Sequence, residues 1–201
     1  IFGYLLKCLP TGWMGQTNNQ LDQMLLSSFF PPQYLGWYRI SVSTANLLRV
    51  VPMGLQRMVL PDVANESSPA RRVSYVYDSL KKSVTLTLVA FVPALILIGP
   101  VIVHAYGNSF DNSIIPAQIL LFGVILVSLN GILVNAFRGF GKPIASLVAE
   151  GIGVVVTVVG LIVLLPLMGL KGAAITTVLS YAATFALLLL AFQKHTKVLI
   201  R

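Results

Sequence analysis

Six mostly apolar stretches follow one another along the chain, each about as long as a helix that crosses a bilayer. A hydrocarbon core ~30 Å thick, at 1.5 Å of rise per residue, calls for roughly 20 such residues. The stretches fall at about 1–30, 37–60, 84–103, 115–137, 144–167 and 173–192, and the first is the most polar. Pro31-Pro32 and Gly36 mark a turn, Pro61-Asp62 closes the second stretch, and Tyr106-Gly107-Asn108-Ser109 forms another turn. The longest expected connection is the polar, charged run 65–79. Pro52 and Pro93 lie inside spans; in a membrane bundle neighbouring helices satisfy the freed carbonyls, so kinks rather than breaks are expected. Short connections make successive helices antiparallel neighbours. The expected fold is all-α, a polytopic membrane bundle of six transmembrane helices forming one domain over 1–201.

Composition sharpens this. Hydrophobic residues make up 56% and charged residues 10%, with mean hydropathy +0.85, against about 25% charged residues in soluble domains. A soluble globule, a disordered tail and a coiled coil are excluded. The single cysteine, Cys8, can form neither an intrachain disulfide nor a metal cluster. The net charge of +8 is informative through its placement. With six spans, one side of the membrane collects Lys7, Arg57, Arg71, Arg72, Lys81, Lys82, Arg138, Lys142, Lys194, Lys197 and Arg201, and the other only Arg39 and Lys171. The positive-inside rule then puts both termini in the cytoplasm and Phe110-Asp111-Asn112 outside. The basic residues read as topology signals that also attract anionic lipid, and nucleic acid is not an expected partner. The chain opens at Ile1 without a methionine, which points to a piece of something longer.

Charges within spans cost several kcal/mol and usually face a partner or a wet cavity. Three stand out here: Asp22, Arg49 and Glu150. Counted from the outer turn, Asp22 lies ~12 Å and Arg49 ~18 Å deep, both near the midplane on adjacent helices. Two readings stand: an ion pair locking spans one and two, or a cationic site for an anionic substrate with Asp22 tuning it. Asn46, Arg49 and Gln56 share one helical face. Span one carries Gln16, Thr17, Asn18, Asn19, Gln20, Asp22 and Gln23, an amide density that a lipid-facing helix does not tolerate. Glu150 lies nearer the cytoplasmic boundary and reads either as the partner of Lys142 or Arg138 or as an ion-coupling carboxylate. Ala149 and Gly153 give a small-xxx-small face for close helix packing.

No catalytic constellation accompanies these groups. His104 and His195 fall on opposite sides of the membrane, and there is no HExxH, GxGxxG or P-loop. Ser79-Leu80-Lys81-Lys82 matches S-x-x-K without its companion motifs, and the sequon Asn65-Glu66-Ser67 is on the cytoplasmic side. No enzyme activity, metal or cofactor is expected.

Several motifs occur in order: Asp22-Gln23-Met24-Leu25-Leu26, Leu35-Gly36-Trp37-Tyr38, Val59-Leu60-Pro61, Tyr106-Gly107-Asn108-Ser109-Phe110, Ala136-Phe137-Arg138-Gly139-Phe140-Gly141-Lys142-Pro143, and Leu165-Pro166-Leu167-Met168-Gly169-Leu170-Lys171-Gly172-Ala173-Ala174 followed by Ser180-Tyr181. Together they resemble the polysaccharide transporter family of lipid-linked oligosaccharide flippases. That family belongs to the multidrug, oligosaccharidyl-lipid and polysaccharide exporter superfamily. The resemblance implies the second of two six-helix bundles, with the N-terminal bundle absent, working by alternating access. It implies an undecaprenyl-pyrophosphate-linked oligosaccharide as substrate, a bacterial inner membrane as location, and O-antigen, capsule or exopolysaccharide assembly as purpose. The expected binding residues are Arg49, Asn46, Asn18 and Asn19, with Asp22 and Glu150 for ion coupling or ion pairing. Arginine suits a pyrophosphate because its planar fork holds two oxygens at once. The competing readings are a cation-coupled multidrug exporter of the related branch and a non-transporting membrane scaffold.

Overall fold

A computed structural model of the chain describes residue 20 and residues 22–199. Every regular element among them is helical: α1 (22–29), α2 (Pro32–Asn65), α3 (Pro69–Tyr106), a 3-10 turn (Asn108–Ser113), α4 (Ile114–Gly139), α5 (Pro143–Met168) and α6 (Leu170–Leu199). Proline sits in the first turn of α2, α3 and α5, where its missing N–H costs nothing and its fixed φ suits the helix. α3 and α5 stop at Gly107 and Gly169, with φ of 86° and 57°, a left-handed backbone that favours glycine.

Among the described residues, four helices are long and apolar enough to cross a membrane: α3, α4 with its preceding 3-10 turn, α5 and α6. α2 has 34 residues, or ~51 Å of helix, so length alone would let it cross, but it is more polar. Most of the expected first span, 1–19 and position 21, lies outside the described residues.

Two boundaries differ from the sequence reading. The turn at Pro31 is confined to Phe30-Pro31, and Gly36 lies inside α2. The polar run 65–79 is not a long connection: only Glu66–Ser68 is non-helical, and α3 starts at Pro69. Hydropathy averages hide an amphipathic stripe there. Val73, Val76 and Ser79 are buried at helical spacing, and Val73 and Val76 join a core cluster with Val59 and Val63 of α2. The helices run through Pro52, Pro61, Pro93, Pro100 and Pro166.

The interior is split along the bundle axis. Near the α3–α4 connection, one apolar cluster joins Leu26, Tyr38, Ala45, Leu48, Phe91, Ile98, Leu121, Val124, Leu161 and Ala174. Near the α2–α3 connection, a second joins Val59, Val63, Val76, Ile132, Phe137, Ala149, Leu188 and Phe192. Between the clusters runs a belt of polar residues: Arg49 and Gln56 on α2, Ser128 and Asn130 on α4, Thr157 on α5, and Thr176, Thr177, Ser180, Tyr181 and Thr184 on α6. Its hydroxyls mostly bond helical carbonyls, as Ser128 Oγ does to Val124 at 2.6 Å and Thr184 Oγ1 to Ser180 at 2.9 Å.

Candidate functional site

A small cavity of about 30 Å³ opens where α1, α2, α4 and α6 meet, lined by Asp22, Val42, Ala45, Asn46, Arg49, Leu120, Val124, Val127, Thr177 and Tyr181. Among the described residues, Asp22 and Arg49 are the only charged ones lining it. They arrive on antiparallel neighbours because α1 turns back at Pro31 into α2. Asn46 sits one turn before Arg49 and is exposed, while Arg49 is half-buried.

Asp22 is 3% exposed, and its carboxylate is held by hydrogen bonds. Tyr38 donates its phenol O–H to Oδ2 at 2.6 Å, Thr177 Oγ1 lies 3.3 Å from the same oxygen, and the Gln23 N–H donates to Oδ1 at 2.8 Å. Tyr38 itself is fully buried, and its oxygen is 3.3 Å from Thr177 Oγ1. The three side chains tie α1, α2 and α6 together. Arg49 is not among the groups holding Asp22. The ion pair is therefore not the arrangement seen: the two charges share a cavity, but the carboxylate faces hydroxyls. Tyr181 is within electrostatic reach of both.

The remaining expected residues are placed as follows. Asn18 and Asn19 lie outside the described residues. Gln56 shares α2 with Asn46 and Arg49 but packs over α4, where its side-chain amide fills the space that a Cβ on Gly131 would need. Asn135 Nδ2 donates to the Gln56 carbonyl at 2.8 Å. Glu150 is half-buried on α5, away from the cavity; of its two candidate partners, Arg138 is the cation acting on it. Lys142 turns instead to His195, with Nζ 3.2 Å from Nδ1. Ala149 and Gly153 are buried as the small-residue face required, and Ser180 Oγ donates to the Gly153 carbonyl at 2.8 Å.

Reading the sequence for charges missed Tyr38, Thr177 and Tyr181. The available signal was the pair Thr177 and Tyr181, one turn apart in an apolar span, but hydroxyls are common in membrane helices and bond their own carbonyls.

No family model matches the chain, and no solved structure matches it. Among curated proteins it is similar to an uncharacterized membrane protein of Methanocaldococcus jannaschii, 30% identical over 168 residues covering 80% of this chain and 32% of that protein. It is also similar to the probable low-salt glycan biosynthesis flippase Agl15 of Haloferax volcanii, 22% identical over 190 residues covering 93% of this chain and 40% of that one. The chain thus spans about a third of one relative's length and two fifths of the other's. Both are archaeal, whereas the motif resemblance implied a bacterial membrane. With four helices apolar enough to span a bilayer, this is an all-helical, multi-pass membrane protein with distant similarity to a flippase.

Proposed function

We propose that this chain is one six-helix bundle of a two-bundle transporter that flips a polyprenyl-pyrophosphate-linked oligosaccharide across the membrane by alternating access. The expected first span, which ends in α1, and α2 are then the polar spans facing the central cavity, α3 to α6 are the apolar ones, and the α2–α3 connection is cytoplasmic. The single observation that carries this reading is a guanidinium on a small cavity whose only other charged group among the described residues, Asp22, is bonded to hydroxyls. An anionic head group is the chemistry such a site takes. Arg49 grips the pyrophosphate, Asn46 bonds a sugar or phosphate oxygen, and the lipid tail stays in the bilayer. Asn18 and Asn19, on the preceding stretch, would add sugar contacts. Glu150, away from this cavity and acted on by Arg138, holds the α4–α5 corner rather than contacting substrate. Distant similarity to Agl15 supports a role in glycan biosynthesis and a transporter rather than an enzyme.

A multidrug exporter for cations would need Asp22 to face its cargo, and the hydroxyls of Tyr38 and Thr177 already occupy it. The test is Arg49→Ala in the complete protein: glycan export is lost while membrane insertion is unchanged. Normal surface glycan in that variant overturns the proposal. Arg49→Lys also fails if two phosphate oxygens are gripped together, and full export by the lysine variant would reduce the role to charge alone.

A further inference from the structure

Two opposite charges on one small cavity would ordinarily collapse onto each other. A carboxylate beside a guanidinium forms a bidentate pair stronger than a neutral hydrogen bond, and a site so neutralised has little attraction for an anion. Among the described residues, Asp22 and Arg49 are the only charged side chains lining the cavity, yet Asp22 spends its hydrogen bonds on Tyr38, Thr177 and the Gln23 N–H. Tyr38 contributes no atom to the cavity lining and is 0% exposed. Its hydroxyl reaches Asp22 from behind, at the shortest distance of the three.

We infer that Tyr38 and Thr177 are positioning residues that hold the Asp22 carboxylate off Arg49, keeping the guanidinium uncompensated for the anionic head group. This rests on the anion-binding reading of the cavity and adds its regulation: Asp22 is a tethered competitor of the substrate. Thr177 is the weaker arm. Its Oγ1 lies at 3.3 Å from Asp22 and also donates to the Ala173 carbonyl of its own helix at 3.1 Å. Tyr38 is the stronger arm, and without it the carboxylate's best remaining partner across the cavity is Arg49.

The experiment measures binding of inorganic pyrophosphate to the complete protein in lipid nanodiscs, with thermal stability read in parallel. Hydrogen bonds to charged groups contribute about 1.5–3 kcal/mol, so Tyr38→Phe, which removes only an oxygen, weakens pyrophosphate binding by about ten- to a hundredfold. Asp22→Asn in the same chain restores it, because the neutral amide no longer competes. That rescue separates positioning from a structural role, since a merely structural tyrosine would leave the double variant as weak as the single one. Wild-type affinity in Tyr38→Phe, or no recovery in Tyr38→Phe/Asp22→Asn, overturns the inference. Arg49→Ala run alongside distinguishes the two levels. If it loses binding while Tyr38→Phe does not, only the tether fails; if it keeps full binding, the anion-binding reading fails and the tether with it.

Discussion

α2 and α5 both sit at the edge of the bundle, α2 packed chiefly on α4 and α5 chiefly on α6, but they turn different chemistry outward. The outward face of α5 is Ile144, Val148, Ile152, Val155, Val159, Ile162 and Val163, all exposed and all apolar. The outward face of α2 mixes Arg39, Ser43, Asn46, Val50, Met53, Gly54 and Arg57. That stripe recurs at alternating intervals of four and three, so it is one continuous face. Lipid tails accept the first face but suit the second poorly, because the polar Ser43 and Asn46 in its middle, between Arg39 and Arg57 at its ends, call for water or a partner. On the proposed reading α5 faces lipid and α2 a hydrated surface, and α2 is correspondingly more polar than the four helices apolar enough to cross a membrane.

A matched pair of valines tests this assignment with the largest expected effect. Val50 on α2 and Val155 on α5 are 67% and 60% exposed, each near the middle of its helix. Val155→Arg places a cation in lipid and destabilises the folded protein by about 2.5–3.5 kcal/mol, read as lost membrane yield and a lowered melting temperature. Val50→Arg faces water and costs under about 1 kcal/mol. Equal penalties at both positions would remove the distinction between the two faces.

How far this contrast was legible in the sequence depends on what each residue's neighbours contribute. The four most apolar spans, the glycine turn at Gly107 and the mid-helix place of Arg49 are local properties, readable from composition and order. The start of α3 at Pro69 was not, because 65–79 is polar on average and only its buried Val73 and Val76, meeting Val59 and Val63 from α2, make it a packed helix. The partner of Asp22 was not legible either. Charge alone pointed to Arg49, while the groups that hold it, Tyr38 and Thr177, lie sixteen and 155 residues away and carry no charge to announce themselves.

Glycines extend the comparison at a smaller scale. Gly54 on α2 has open space where a Cβ would go, whereas a Cβ on Gly160 of α5 would lie 2.6 Å from Cγ2 of the fully buried Thr176 on α6. Gly160→Val overpacks the α5–α6 seam and costs about 1–3 kcal/mol. Gly54→Val meets nothing within 4 Å among the described residues, so its effect on stability falls below that range. Thermal unfolding of the two variants side by side decides this, and a larger loss at Gly54 would mean that α2 is covered by close packing rather than by water.

The smallest effect concerns what holds the α5–α6 seam shut. Ser180 Oγ donates to the Gly153 carbonyl across the seam at 2.8 Å, and that carbonyl also accepts from Thr157 Oγ1 at 3.0 Å within α5. Ser180→Ala therefore does not orphan its acceptor. Interhelical hydrogen bonds in membranes average about 0.6 kcal/mol and reach about 1.7, and the surviving Thr157 bond places this one toward the low end. If shape holds the seam, as Gly160 against Thr176 indicates, Ser180→Ala lowers stability by well under the cost of Gly160→Val. A loss above about 1.7 kcal/mol would reverse that ranking and make the hydrogen bond, rather than the close approach of small residues, the element that fixes α5 to α6.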